Sequence, residues 1–153
     1  MKLRASTVTA SVFGIGYFEF ASGTIMSAVA TPLAFLIMLR GGAISLFCAA
    51  LIVFCIGIFA CADHMRETGR EDPPECVIDE LAGQWFACAL APLSLPAFAL
   101  AFLLFRLFDI WKPWPVSWAE NGLSGGLGVM ADDLVAGLIA GAIVFAVHWF
   151  GWL

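Results

Sequence analysis

Polar and apolar residues fall in blocks along this chain rather than in a short repeating period. Residues 5–39 carry one charge, Glu19, and residues 41–62, 81–105 and 134–153 carry none. A hydrocarbon core about 30 Å thick is crossed by about 20 helical residues, so 41–62 and 134–153 each predict one spanning helix. Residues 5–39 are too long for one span and too short for two. The SGT at 22–24 offers a break, and Glu19 just before it would sit badly in lipid. The pattern therefore predicts a short span over 25–39, preceded by an interfacial or half-buried helix. Pro32 is tolerated there through neighbouring helices. Arg40-Gly41-Gly42 predicts a tight turn into the next span.

The stretch from Asp63 to Glu80, DHMRETGREDPPECVIDE, holds nine charged residues and Pro73-Pro74, and belongs outside the hydrocarbon. His64, Arg66, Glu67, Arg70, Glu71 and Asp72 read as a solvated helix end and loop. Asp79-Glu80 differ, because the apolar run LAGQWFACALAP begins directly after them. The uncharged run 81–105 is long enough to cross once, yet Pro92 and Pro96 interrupt it, and proline removes a backbone donor and breaks or kinks a helix. Two short helices, near 80–91 and 97–109, are expected instead, folded as a hairpin that does not span. The distribution of basic residues agrees. With the N-terminus inside, Lys2, Arg4, Arg66, Arg70, Arg106 and Lys112 fall on the cytoplasmic side and only Arg40 outside. Trp111, Trp114 and Trp118 fit an aromatic belt at that interface.

Composition supports a membrane class. The chain of 153 residues is 62% hydrophobic and 12% charged, against about 25% charged for an average soluble domain. Its net charge of −5 does not suit a nucleic-acid partner, which calls for clustered Lys and Arg. Cys48, Cys55, Cys61, Cys76 and Cys88 form no CxxC pair and read as small buried hydrophobes. The Lys2/Arg4 start is not read as a cleaved leader, since no small-residue cleavage site before a polar chain follows. The expected fold is an all-α integral membrane protein, a single domain over 1–153. It has about five or six helices, roughly three of them spanning, with the Pro-broken hairpin at about 80–109. Gly137 and Gly141 give the last helix a GxxxG spacing suited to close packing, including packing against a second copy.

Three charged groups then share one membrane face. They are Asp79-Glu80; Arg106, Asp109 and Lys112; and Asp132-Asp133, which follow GGLG and are expected to open the last helix. Arg106 and Asp109 lie one helical turn apart. Part of the role of Asp132-Asp133 would be capping, leaving one of them free to bind. Five carboxylates with two cations leave a charge excess that a hard divalent cation would offset. His64 and His148 are too few and too far apart for zinc. Mg²⁺ held by carboxylates and shared with substrate phosphate oxygens fits, with Lys112 and Arg106 binding the same phosphate. The amides of Gly125, Gly126 and Gly128 are expected to approach an anion. No GK[ST] follows that run, and no DxDxT or histidine-nucleophile set occurs. The remaining route to phosphate chemistry is metal-activated water with a spare carboxylate as base.

The segments IDELAGQW (78–85), FRLFDIWKPWP (105–115) and GGLGVMADDLVAG (125–137) resemble the three motif boxes of the phosphatidylglycerophosphatase A family. They correspond to DE-x-x-G-x-W, R-x-x-D-x-x-K-P-x-P and G-G-x-G-x-M-x-D-D-x-x-A-G, in order and at matching spacing. The N-terminal SGTIMS (22–27) is similar to the family's PGT-x-GS loop at Gly23, Thr24 and Ser27, and departs from it at Ser22 and Met26. The resemblance implies a Mg²⁺-dependent phosphatase at the bacterial inner membrane that converts phosphatidylglycerophosphate to phosphatidylglycerol, with its site facing the cytoplasm. It implies Asp79, Glu80, Asp109, Asp132 and Asp133 as metal ligands, and Thr24 as a hydroxyl contributor. The rival reading is a non-enzymatic membrane protein, a transporter or assembly subunit whose acids pair one-to-one with Arg and Lys. A phospholipid-synthesising transferase is disfavoured because its D-G-x-x-A-R pattern is absent.

Overall fold

The computed structural model describes residues 4–153; Lys2, counted above among the inner-side cations, lies outside them. Among the described residues the chain is all-helical: α1 (Ala5–Ala10), a 3₁₀ turn (Ile15–Tyr17), α2 (Ser22–Thr68), α3 (Ile78–Leu90), α4 (Leu95–Trp111), α5 (Val116–Gly122) and α6 (Gly125–Trp149). Two helices, α2 and α6, are long and apolar enough to cross a membrane.

The spans expected over 25–39 and 41–62 emerge as one element of 47 residues broken at Gly42. Gly42 has φ 76° and ψ −179°, a conformation that side-chain-bearing residues avoid. The break folds the helix back. Met26 and Val53 pack in one buried cluster with Ala30, Val77 and Leu81, although a straight helix would hold them about 40 Å apart. The arm before the break meets α4, with Phe35 edge-on to Phe98 at 5.3 Å. The arm after it meets α3, with Phe47 edge-on to Phe86 at 5.3 Å. Gly69 ends the helix in the left-handed region, its amide bonded to Met65 O.

The proline-interrupted run folds as expected into two helices. α3 stops at Leu90, Pro92 falls in the break, and Ser94 caps α4 by accepting from the Ala97 amide at 3.3 Å, with Pro96 in the first turn. α4 ends at Lys112, itself left-handed, ahead of Pro113.

Close backbone approach between α3 and α6 fixes the centre. A Cβ on Gly137 would fall 2.2 Å from Gly83 O, and one on Gly141 would fall 2.8 Å from Ala87 O. The constant offset between these partners means that α3 and α6 run parallel. The Gly137–Gly141 face, expected to suit packing that included a second copy, is covered by α3 of the same chain. Gly126 performs a similar task against α2, where a Cβ would meet Ile58 O at 1.9 Å.

Two further expectations change. His64, read as part of a solvated stretch, is 2% exposed. It lies between Thr7 Oγ1 and Glu75 Oε1, at 3.4 and 3.2 Å. Cys61 and Cys76, read as isolated hydrophobes, are paired as a disulfide joining α2 to the approach to α3. Pairing of this kind depends on spatial proximity across 15 positions, which spacing alone does not reveal.

Gly137→Val should lower the unfolding free energy in detergent by about 1–3 kcal/mol through overpacking. Leu103→Ala, at a side chain 61% exposed, should change it by no more than about 0.5 kcal/mol. Both are read by denaturant titration of the folded protein in micelles.

Candidate active site

The parallel packing of α3 and α6 dictates where the acids fall. Asp79 lies four residues before Gly83, and Asp133 four before Gly137, so each carboxylate sits one turn ahead of the same close contact. Asp79, Glu80 and Asp133 bring one oxygen each to within 4.8 Å of one another, and so do Asp109, Asp132 and Asp133. Asp133 is common to both sets. The hairpin of α3 and α4 returns Asp109 to this cluster.

The cluster opens into a cavity of about 690 Å³ that also exposes Lys112, Glu120, Ser124, Gly125 and Gly128. Lys112 Nζ donates to Glu120 Oε1 at 2.6 Å and to Asp132 Oδ2 at 3.0 Å. Partial burial pushes the Lys112 ammonium toward deprotonation. The hydrogen bonds and charges of Glu120 and Asp132 more than reverse this and raise it above the usual lysine range, so it stays charged. Arg106 Nη1 donates to Asp109 Oδ2. Three acids, Asp79, Glu80 and Asp133, have no ion-pair partner among the described residues. Buried Glu80 Oε2 and Asp133 Oδ2 have no hydrogen-bond partner among the described residues, a costly state for an ionised oxygen. An all-oxygen donor set with orphaned buried lone pairs fits a hard divalent cation. The one-to-one pairing required by the non-enzymatic reading is not found among the described residues.

Burial of its carboxyl group raises Asp79 well above the usual carboxylate range. The charge of neighbouring Glu80, its hydrogen bond with Glu80 and the charges of Asp133 and Asp132 add to this. Burial also raises Glu80, opposed by its hydrogen bond with Asp79. These directions describe carboxylates that repel one another where no counter-cation is present.

Several expectations about individual residues need correction. α6 starts at Gly125, not after GGLG, so Asp132 and Asp133 lie about two turns into it and do not cap it. Glycine run 125–128 is therefore helical rather than a flexible loop. Within it, Gly125 and Gly128 reach the cavity wall, whereas Gly126 packs on α2. Thr24 and Arg106 are not on the wall. Arg106 braces Asp109 from behind, and the N-terminal segment contributes Gly23, where a Cβ would collide with Glu80 Oε1 at 2.2 Å. Sequence reasoning missed Glu120. The available signal was a lone acid in the tryptophan-rich stretch that follows Lys112.

The fold and this pocket define an all-helical protein that carries two helices long and apolar enough to cross a membrane and a pocket lined by carboxylates and Lys112. The family model for phosphatidylglycerophosphatase A matches residues 8–148. The chain is 34% identical over 141 residues to phosphatidylglycerophosphatase A of Escherichia coli, covering 90% of this chain and 81% of that one. It is 36% identical over 140 residues to phosphatidylglycerophosphatase A of Haemophilus influenzae, covering 90% and 85%. A Bacteroides thetaiotaomicron relative, 35% identical over 144 residues and covering 90% and 89%, is named provisionally as a phosphatidylinositol-3-phosphatase. No solved structure matches. The chain belongs to the phosphatidylglycerophosphatase A family and is a phosphoric monoester hydrolase.

A carboxyl group held above its unfolded value stabilises the fold while protonated, and that contribution is lost as pH rises from the unfolded value through the folded one. The metal-free protein should therefore lose thermal stability as pH rises above about 4. Asp79→Asn should raise its melting temperature at neutral pH and flatten this dependence, as read by thermal melts in EDTA.

Proposed function

We propose that this protein is a Mg²⁺-dependent lipid phosphatase that removes the terminal phosphate of phosphatidylglycerophosphate to give phosphatidylglycerol. The observation that carries the reading is the set of half-buried Asp79 and Glu80 with buried Asp133, which no Arg or Lys among the described residues pairs with and which faces a cavity shared with Lys112. The names of the Escherichia coli and Haemophilus influenzae relatives supply the substrate. The two arms of α2 and α6 make three crossings, and α3–α4 form a hairpin that does not span. This arrangement leaves the cavity at the cytoplasmic face of a bacterial inner membrane. Trp111, Trp114 and Trp118 are 60–80% exposed beside it. They suit the depth at which a phospholipid headgroup lies.

Asp79, Glu80, Asp109, Asp132 and Asp133 would supply the ligands of the cation and leave one carboxylate among them as base. When bound, Mg²⁺ supplies a lowered water pKa and offsets charge on the phosphoryl oxygens. Lys112 binds the phosphate as a point charge at the cavity mouth. Asp132 and Glu120 hold that ammonium in place until substrate arrives. Arg106 keeps Asp109 oriented toward the cluster. The carboxylate left as base takes the proton of the attacking water as the water oxygen bonds to phosphorus and the P–O bond to the glycerol oxygen breaks, and it returns the proton to that oxygen, which leaves as the alcohol.

Purified protein in mixed micelles should release phosphate from phosphatidylglycerophosphate with Mg²⁺ and stop when EDTA is added. Release that survives chelation would overturn the metal reading. Asp133→Asn and Lys112→Ala should each lower kcat/KM by about 10²-fold or more while inserting normally. Faster release from phosphatidylinositol 3-phosphate than from phosphatidylglycerophosphate would reassign the headgroup.

A further inference from the structure

We infer that the cavity holds two divalent cations of unequal affinity that share Asp133: a tight one at Asp79, Glu80 and Asp133, and a weak one at Asp109, Asp132 and Asp133 that is completed by the substrate phosphate. The inference rests on the Mg²⁺ reading and adds the number, the order of filling and the cause of the difference. Both triads have the same compactness, each within 4.8 Å, and both contain the same aspartate. They differ in what already engages them. In the first, no Arg or Lys pairs with any member, and Glu80 Oε2 and Asp133 Oδ2 are buried without partners. Binding a cation there breaks no ion pair with Arg or Lys, displaces only the hydrogen bond between Asp79 and Glu80, and relieves two orphaned oxygens. In the second, Asp109 Oδ2 is taken by Arg106 and Asp132 Oδ2 by Lys112. A cation there competes with two protein cations that are already in place.

Substrate changes this balance. Lys112 is the one cation of the pair on the cavity wall, and a phosphomonoester carrying about −1.5 to −2 charges draws it away from Asp132. The released carboxylate and the phosphate oxygens then complete the second site. Charge counting agrees in direction. With Glu120, which pairs with Lys112, six carboxylates and two protein cations leave an excess of four negative charges, and one divalent ion together with a phosphate dianion leaves that excess unchanged. A second ion halves it. By linkage, phosphate must tighten the second cation by the same factor that the second cation tightens phosphate.

The test uses the full chain in detergent micelles with Mn²⁺, a hard cation visible by electron paramagnetic resonance. Binding is measured with and without a phosphonate analogue of glycerol phosphate. Without the analogue, one equivalent should bind tightly, and a second at least about tenfold more weakly. With the analogue, the second should tighten by about tenfold. The spectrum should then show coupling between ions about 3.5–4 Å apart. Asp79→Asn should weaken the first ion, whereas Asp109→Asn should leave the first unchanged and abolish the second. A single equivalent under both conditions, or two equal sites indifferent to the analogue, overturns the inference while leaving the phosphatase reading intact. Absence of any Mn²⁺ binding overturns both.

Discussion

The near-contact of two helix backbones at Gly83 and Gly137 is the constraint on which the site depends. That contact fixes both the register and the separation of α3 and α6. Here a Cβ at Gly137 would fall 2.2 Å from Gly83 O, so the axes close and the residues one turn earlier, Asp79 and Asp133, are forced together. Small residues play this part in membranes because no hydrophobic force draws helices together there and packing must do so.

What results is an arrangement that is poor electrostatics in isolation. Burial and mutual repulsion raise Asp79 and Glu80, and two buried oxygens lack partners. Such groups are retained where something else completes them. The protein's own cations do so for one side of the cluster only, through Arg106 to Asp109 and Lys112 to Asp132. That asymmetry connects the packing to the electrostatics: Arg106 and Lys112 engage the Asp109–Asp132 side, and no Arg or Lys among the described residues pairs with Asp79, Glu80 or Asp133.

Much of this was legible in the sequence, and the reasons are physical. Blocks of uncharged residues of bilayer length mark α6 and the arms of α2. Pro92 and Pro96 mark the α3–α4 break, because a missing amide donor is a local property. The five acids stand out because carboxylates beside apolar runs need compensation. What the sequence left hidden depends on contacts between distant elements. His64 looked solvated by its neighbours but is covered by Thr7 and Glu75. GGLG looked like a loop, yet α2 packs against Gly126 and keeps it helical. Arg106 and Lys112 appeared equivalent, and only the tertiary arrangement places one behind Asp109 and the other on the cavity wall. The Cys61–Cys76 pairing and the role of Glu120 beside Lys112 are likewise properties of the folded chain.

The central claim is that Asp79, Glu80 and Asp133 are brought together to hold a cation. Anomalous diffraction from crystals of the protein loaded with Mn²⁺ addresses it most directly. The account predicts an anomalous peak about 2.0–2.2 Å from carboxylate oxygens of all three residues. A cluster with no such peak, in which each of these acids is instead paired to an arginine or lysine, would contradict it.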